Sequence, residues 1–174
     1  MDIFLQIDHI LFRFINGLPH NFASDAFFSF FSGLGTWGIV WVIITGILFI
    51  WEELKDKKGL IALILAILLS IIISDGIVKN IVRRQRPEFS LKNTIVVQDS
   101  RNSYSFPSGH ATIAFAAAYV LAREHKKWAK GYYVIAFLIA FSRIYLGKHY
   151  PFDIVGGTML GTLIGFFTSR ICKD

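Results

Sequence analysis

Three short stretches hold residues that apolar packing does not call for: KNIVRRQRP at residues 79–87, FPSGH at 106–110 and SRIYLGKHYPFD at 142–153. Lys79, Arg86 and Arg143 are cations whose donors match the oxygens of a phosphate. Lys79 and Arg86 are seven residues apart, two turns of a helix, which predicts one shared face; Arg83 falls on that stripe and Arg84 points elsewhere, as a headgroup or solvated charge. Ser108 follows Pro107 and reads as an N-cap, so the free N–H groups beyond it, including that of Gly109, form an anion site. His149 is followed four residues later by Asp153, and a carboxylate one turn from an imidazole can fix its tautomer and raise its basicity. His110 supplies a second imidazole. Two histidines and an aspartate are also a ligand set for iron or zinc. Three cations at the same place would repel a divalent ion, so the expected ligand is an anion, with no metal and no cofactor.

These residues have to be positioned by helices inside a bilayer. Of the 174 residues 54% are hydrophobic and 17% charged, and the mean hydropathy is +0.54. A water-soluble domain carries about a quarter charged residues. The net charge of +6 would otherwise suit a polyanion, but the basic residues sit in short clusters between apolar runs, and no nucleic-acid partner is expected. A crossing takes about 20 apolar residues. Residues 26–51 lack any charge and form the first predicted span; residues 59–78, broken only by Asp75, form the second. Asp75, four residues before Lys79, reads as its neutralising partner. Shorter apolar helices at 110–122, 131–146 and 154–169 complete an all-α polytopic bundle of five transmembrane helices. The stretch IFLQIDHILFRFINGL, interrupted by Asp8, His9 and Arg13, reads as an N-terminal interfacial helix, with a sixth crossing as the alternative. No basic cluster of a cleavable signal stands at the start, so the chain is expected to begin at Met1. No repeat or linker divides it, and residues 1–174 read as one domain.

Counting spans puts all three polar clusters on one side of the membrane. The other side receives the basic loops at 52–58 and 123–130 and the tail residues Arg170 and Lys173, with Trp51 and Trp128 beside them, and the positive-inside rule makes it cytoplasmic. Gly157, Gly161 and Gly165 recur every four residues and predict close helix packing. Cys172 has no partner for a disulfide or a metal motif, and His9, His20 and His125 are assigned surface positions without a role.

The ordered motifs resemble those of the type 2 phosphatidic acid phosphatase family: Lys, six residues, Arg-Pro; then Pro-Ser-Gly-His; then Ser-Arg, five residues, His, three residues, Asp. All positions are present, as Lys79 and Arg86-Pro87, Pro107-Ser108-Gly109-His110, and Ser142-Arg143, His149 and Asp153. The match covers residues 79–153, and the first fifty residues contribute nothing to it. The resemblance implies that His149 is the nucleophile, forming a phosphohistidine, and that Asp153 orients it. It implies that His110 protonates the leaving group and then activates water, while Lys79, Arg86, Arg143, Ser108 and Gly109 bind the phosphoryl oxygens.

The expectation is therefore a metal-independent lipid phosphatase of a bacterial inner membrane, its site open to the periplasm or cell exterior at headgroup depth. Family members imply lipid A 1-phosphate, undecaprenyl diphosphate or phosphatidylglycerophosphate as substrate. The extra cations Arg83, Arg84 and Arg101 favour lipid A 1-phosphate. A non-catalytic lipid-binding or translocating protein and a metal-dependent hydrolase are the rivals. The sequence is silent on oligomeric state.

Overall fold

The computed structural model describes residues 3–50, 57–97 and 103–172. Residues 51–56, with Trp51 and most of the basic segment expected at 52–58, as well as Arg101 and Lys173, lie outside them. All regular structure among the described residues is helical. The helices are α1 (Ile3–Asn16), α2 (Phe22–Leu34), α3 (Ile39–Ile50), α4 (Lys57–Ile71), α5 (Lys79–Val82), α6 (Pro87–Ser90), α7 (Gly109–Glu124), α8 (Ala129–Tyr145) and α9 (Pro151–Ile171).

The α7 helix is the axis of the bundle and packs on α4, α8 and α9, while α2 lies on α8 and α1 bridges α8 and α9. Its sequence explains its place. Ala111, Ala114, Ala116, Ala117 and Ala118 are all buried, and small side chains let neighbouring backbones approach closely. The glycines of α9 complete the fit. A Cβ on Gly157, Gly161 or Gly165 would stand 2.6, 2.2 or 2.7 Å from the carbonyl oxygens of Ser108, Thr112 and Ala116, so the four-residue glycine row lies directly on the α7 backbone. Large apolar side chains such as Ile43, Ile64, Phe137, Met159 and Phe167 cover the outside, a surface suited to lipid rather than water.

Among the described residues, two stretches can cross a membrane by length and composition: residues 57–90, helical through α4, a π-helical turn at Ile72–Val78 and α5, and Pro151–Ile171. The charge-free stretch at 26–51 is not the single straight span expected from its composition. It divides into α2 and α3, which qualify together but meet at 56°. The cause is local: Trp37 (φ 53°) and Gly38 (φ 74°) adopt left-handed backbone, which an α-helix cannot propagate. The α7 and α8 helices have 16 and 17 residues, about 24–26 Å at 1.5 Å per residue, and are short for a crossing as the sequence predicts.

The α1 helix turns its polarity inward. Asp8, Phe12 and Asn16, spaced by four, are buried, whereas Ile3, Phe4, Ile10 and Phe14 are exposed. A helix of 14 residues reaches about 21 Å. Of its polar residues, Asp8 and Asn16 belong to the protein interior, whereas Gln6 and Arg13 are exposed.

Candidate active site

The three motifs converge. Lys79, Arg86, Gly109, His110, Arg143 and His149 line one cavity of about 260 Å³. Ser108 and Asp153 stand just behind it, both fully buried, and the Ser108 N–H donates to the Asp153 carbonyl at 3.0 Å. This bond ties the starts of α7 and α9 together.

Each cation arrives by its own route. Lys79 sits where the π-helical turn passes into α5 and is paired with Asp75. Arg86 does not reach the cavity along the expected helical stripe. The helix ends at Val82, Arg83 takes a left-handed conformation (φ 51°), and the non-helical residues 83–86 carry the guanidinium in. There Nε and Nη2 of Arg86 donate to the Ser103 carbonyl and hydroxyl at 2.8 Å each, and Nη1 donates to the Lys148 carbonyl at 3.2 Å. Arg83 stays outside, exposed, with its Nε on the Asn80 carbonyl. Arg143 enters from the last turn of α8, and its Nη1 donates to the Ser32 hydroxyl.

His149 occupies the loop between α8 and α9. The turn depends on Gly147, whose φ of 79° and close approach to the Ile95 carbonyl leave no room for a Cβ. The Nδ1 atom of His149 stands 3.4 Å from the Ser105 hydroxyl and 3.6 Å from Asp153 Oδ2. The Asp153 contact is an ion-pair distance, too long for a direct hydrogen bond; the Ser105 hydroxyl, donating to Asp153 Oδ2, mediates between them. With Nδ1 occupied, Nε2 is the ring nitrogen available to the cavity. Burial, and then the charges of Arg86, Arg143 and Lys79, hold the His149 pKa well below the ordinary histidine value. The ring is a neutral imidazole carrying a lone pair at neutral pH.

Asp153 shows what the sequence reading missed. Besides Ser105, it accepts from the Tyr150 N–H on Oδ2 and from Arg84 Nη1 on Oδ1, both at 2.8 Å. Arg84 is thus no headgroup or solvated charge. Its Nη2 donates at 2.6 Å to the fully buried Asp8, and its guanidinium lies 4.0 Å over the Tyr150 ring. The other oxygen of Asp8 accepts the Phe152 N–H at 2.9 Å. The first fifty residues, which carry none of the family motifs, nevertheless help to build the site: Asp8 backs it, Ser32 holds Arg143, and Gly35, Thr36 and Trp37 line the cavity at the bend. One signal was legible, since a carboxylate inside an apolar helix needs a partner. Two of the histidines outside the motifs, His9 and His20, are not plain surface residues either. His9 stacks on Tyr150 at 5.3 Å, and His20 stacks on Tyr145 at 4.3 Å while bonding Asp25 and the Asn16 carbonyl.

Residues 59–174 match the model of the PAP2 superfamily. Among curated proteins, the undecaprenyl-diphosphatase of Sulfolobus acidocaldarius is 31% identical over 133 residues, 76% of this chain and 63% of that protein. The lipid A 4'-phosphatase of Bacteroides thetaiotaomicron is 30% identical over 173 residues, 92% of this chain and 75% of the relative. Among solved structures, Aquifex aeolicus LpxE superimposes with a TM-score of 0.77 at 32% identity, over 94% of this chain and 95% of that one. A PAP2-type phosphatidylglycerolphosphate phosphatase from Bacillus subtilis gives 0.75 at 26% identity, over 99% and 88%. The chain belongs to the PAP2 superfamily, the type 2 phosphatidic acid phosphatases that act on membrane lipid phosphates.

Proposed function

We propose that this chain hydrolyses a phosphate from a membrane lipid by way of a phosphohistidine. One observation carries the reading: three buried or half-buried cations and two imidazoles from the three separate motifs line a single cavity. Nε2 of His149 attacks phosphorus, forming the N–P bond as the P–O bond to the lipid breaks, and His110 gives its proton to the departing oxygen. His110 then takes a proton from water, whose oxygen displaces His149 and releases phosphate. Lys79, Arg86 and Arg143 neutralise the phosphoryl oxygens, with the Gly109 N–H completing the cradle and Ser108 capping the helix that presents it. A phosphoryl transition state asks chiefly for this positioning and charge.

For the substrate we propose a lipid A phosphate, supported by the likeness to lipid A 4'-phosphatases. The cation argument for the 1-position does not support it, because Arg84 is engaged with two carboxylates and Arg83 faces away. Undecaprenyl diphosphate is the second reading, favoured by the Sulfolobus relative. We further place the protein in the bacterial inner membrane with the site toward the periplasm or exterior, and treat residues 1–174 as one domain.

The test is phosphate release in detergent from lipid A phosphorylated at either position, undecaprenyl diphosphate and phosphatidylglycerophosphate, with and without chelator, followed by acid-labile phosphate capture on His149. Release that survives chelation, with label on His149, is the expected result. No release from any lipid would favour a binding or translocating protein, and loss on chelation a metal-dependent one.

A further inference from the structure

Asp75 stands where an anionic substrate would be expected. Its carboxylate pairs with Lys79, lines the same cavity and approaches the start of α7 so closely that a Cβ on Gly109 would lie 2.7 Å from Oδ2. Lys79 and Gly109 are two of the groups assigned to the phosphoryl oxygens. The N-terminus of α7 is a favourable site for negative charge, and the glycine is what lets a carboxylate reach it. Asp75 is held loosely by comparison with Asp153. Its side chain is 43% exposed against 0%, and its other side-chain contact is a 3.4 Å bond from the Ser74 hydroxyl. The residue is carried on the π-helical turn Ile72–Val78, a geometry that recurs at functional sites.

We propose that Asp75 is a resident anion of the phosphate cradle, which a phosphoryl group must displace from Lys79 and Gly109 in order to bind. In the free protein it neutralises Lys79. When phosphate enters, two negative groups cannot share the same cation and helix end at that spacing, so the carboxylate swings toward the cavity mouth. When product leaves, it returns. Asp75 therefore weakens the hold on phosphate and substrate alike, and keeps inorganic phosphate from trapping the enzyme. The proposal rests on the phosphatase reading and refines it by adding a specificity-determining carboxylate that is not among the family-matched positions.

The alternative is that Asp75 only steadies Lys79, and the two roles predict opposite signs. The full chain in detergent micelles is titrated with inorganic phosphate by calorimetry, and KM and kcat are measured on the lipid it hydrolyses, for wild type and Asp75→Asn. Removing a like charge beside the ligand should tighten phosphate binding about tenfold. KM should fall in parallel and kcat should not rise. Weaker or unchanged phosphate binding in Asp75→Asn overturns the proposal while leaving the phosphatase reading intact. A wild type that neither binds phosphate nor hydrolyses a lipid removes both. If Asp75→Asn does not stay monodisperse, Asp75→Ser is judged by the same sign.

Discussion

Two carboxylates flank the cavity, and they are built oppositely. Asp153, behind His149, is fully buried and saturated by Arg84, Ser105 and the Tyr150 N–H. Asp75, beside Lys79, is nearly half exposed and held by one cation. The carboxylate at the rear of the site is tightly held, and the one at its front, which we propose to be displaced by phosphate, is loosely held. A nucleophile gains from a rigid backing because its lone pair must meet phosphorus in line, whereas a cradle that empties on every turnover cannot be bound so firmly to its own residues.

The contrast can be broken at the rear first. His149→Ala should lower phosphate release by about 10⁴-fold or more while the protein keeps its thermal unfolding transition; activity near wild type would remove the nucleophile from the rear. His110→Asn should cost about 10² to 10⁴-fold in kcat, read in the same assay with the lipid KM little changed. Arg84→Ala leaves Asp8 and Asp153 buried without their shared cation, and should destabilise the fold by about 3–5 kcal/mol in denaturant or thermal unfolding. Asp8→Asn should act in the same direction and more mildly. Gly161→Ala, remote from the chemistry, should cost about 1–3 kcal/mol through overpacking against Thr112.

The smallest effect is the dependence of stability on pH. Because His149 is held below the ordinary histidine pKa, the unfolded chain binds a proton near pH 6.5 that the folded chain refuses. Stability should be constant with respect to this group above that pH and fall by up to about 1.4 kcal/mol per unit below it. His149→Gln should flatten that part of the unfolding profile between pH 7.5 and 5.5.

The motif residues were legible because their spacing survives folding: Ser108 does cap α7, and Pro151 and Asp153 do open α9. Arg84 was not, since nothing local says that a guanidinium next to Arg83 will run back to residue 8. Arg86 does line the cavity, but not by the route its spacing suggested. The helical stripe that seemed to align it with Lys79 ends at Val82, and a left-handed residue delivers it instead. The bend at 35–38 was hidden because hydropathy measures a stretch's solvent preference and not its direction. Asp75 was assigned its ion pair correctly, but the proximity to Gly109 depends on how α7 is set against the π-helical turn.

The seam between α7 and α9 has one more implication. With carbonyls of one helix resting on glycines of the other at Ser108, Thr112 and Ala116, nothing as thick as a hydrocarbon tail can wedge itself along that line. On the proposed lipid-phosphatase reading, the chains of a substrate leave the cavity by another way, and Trp37, a residue 56% exposed, stands at the cavity's edge.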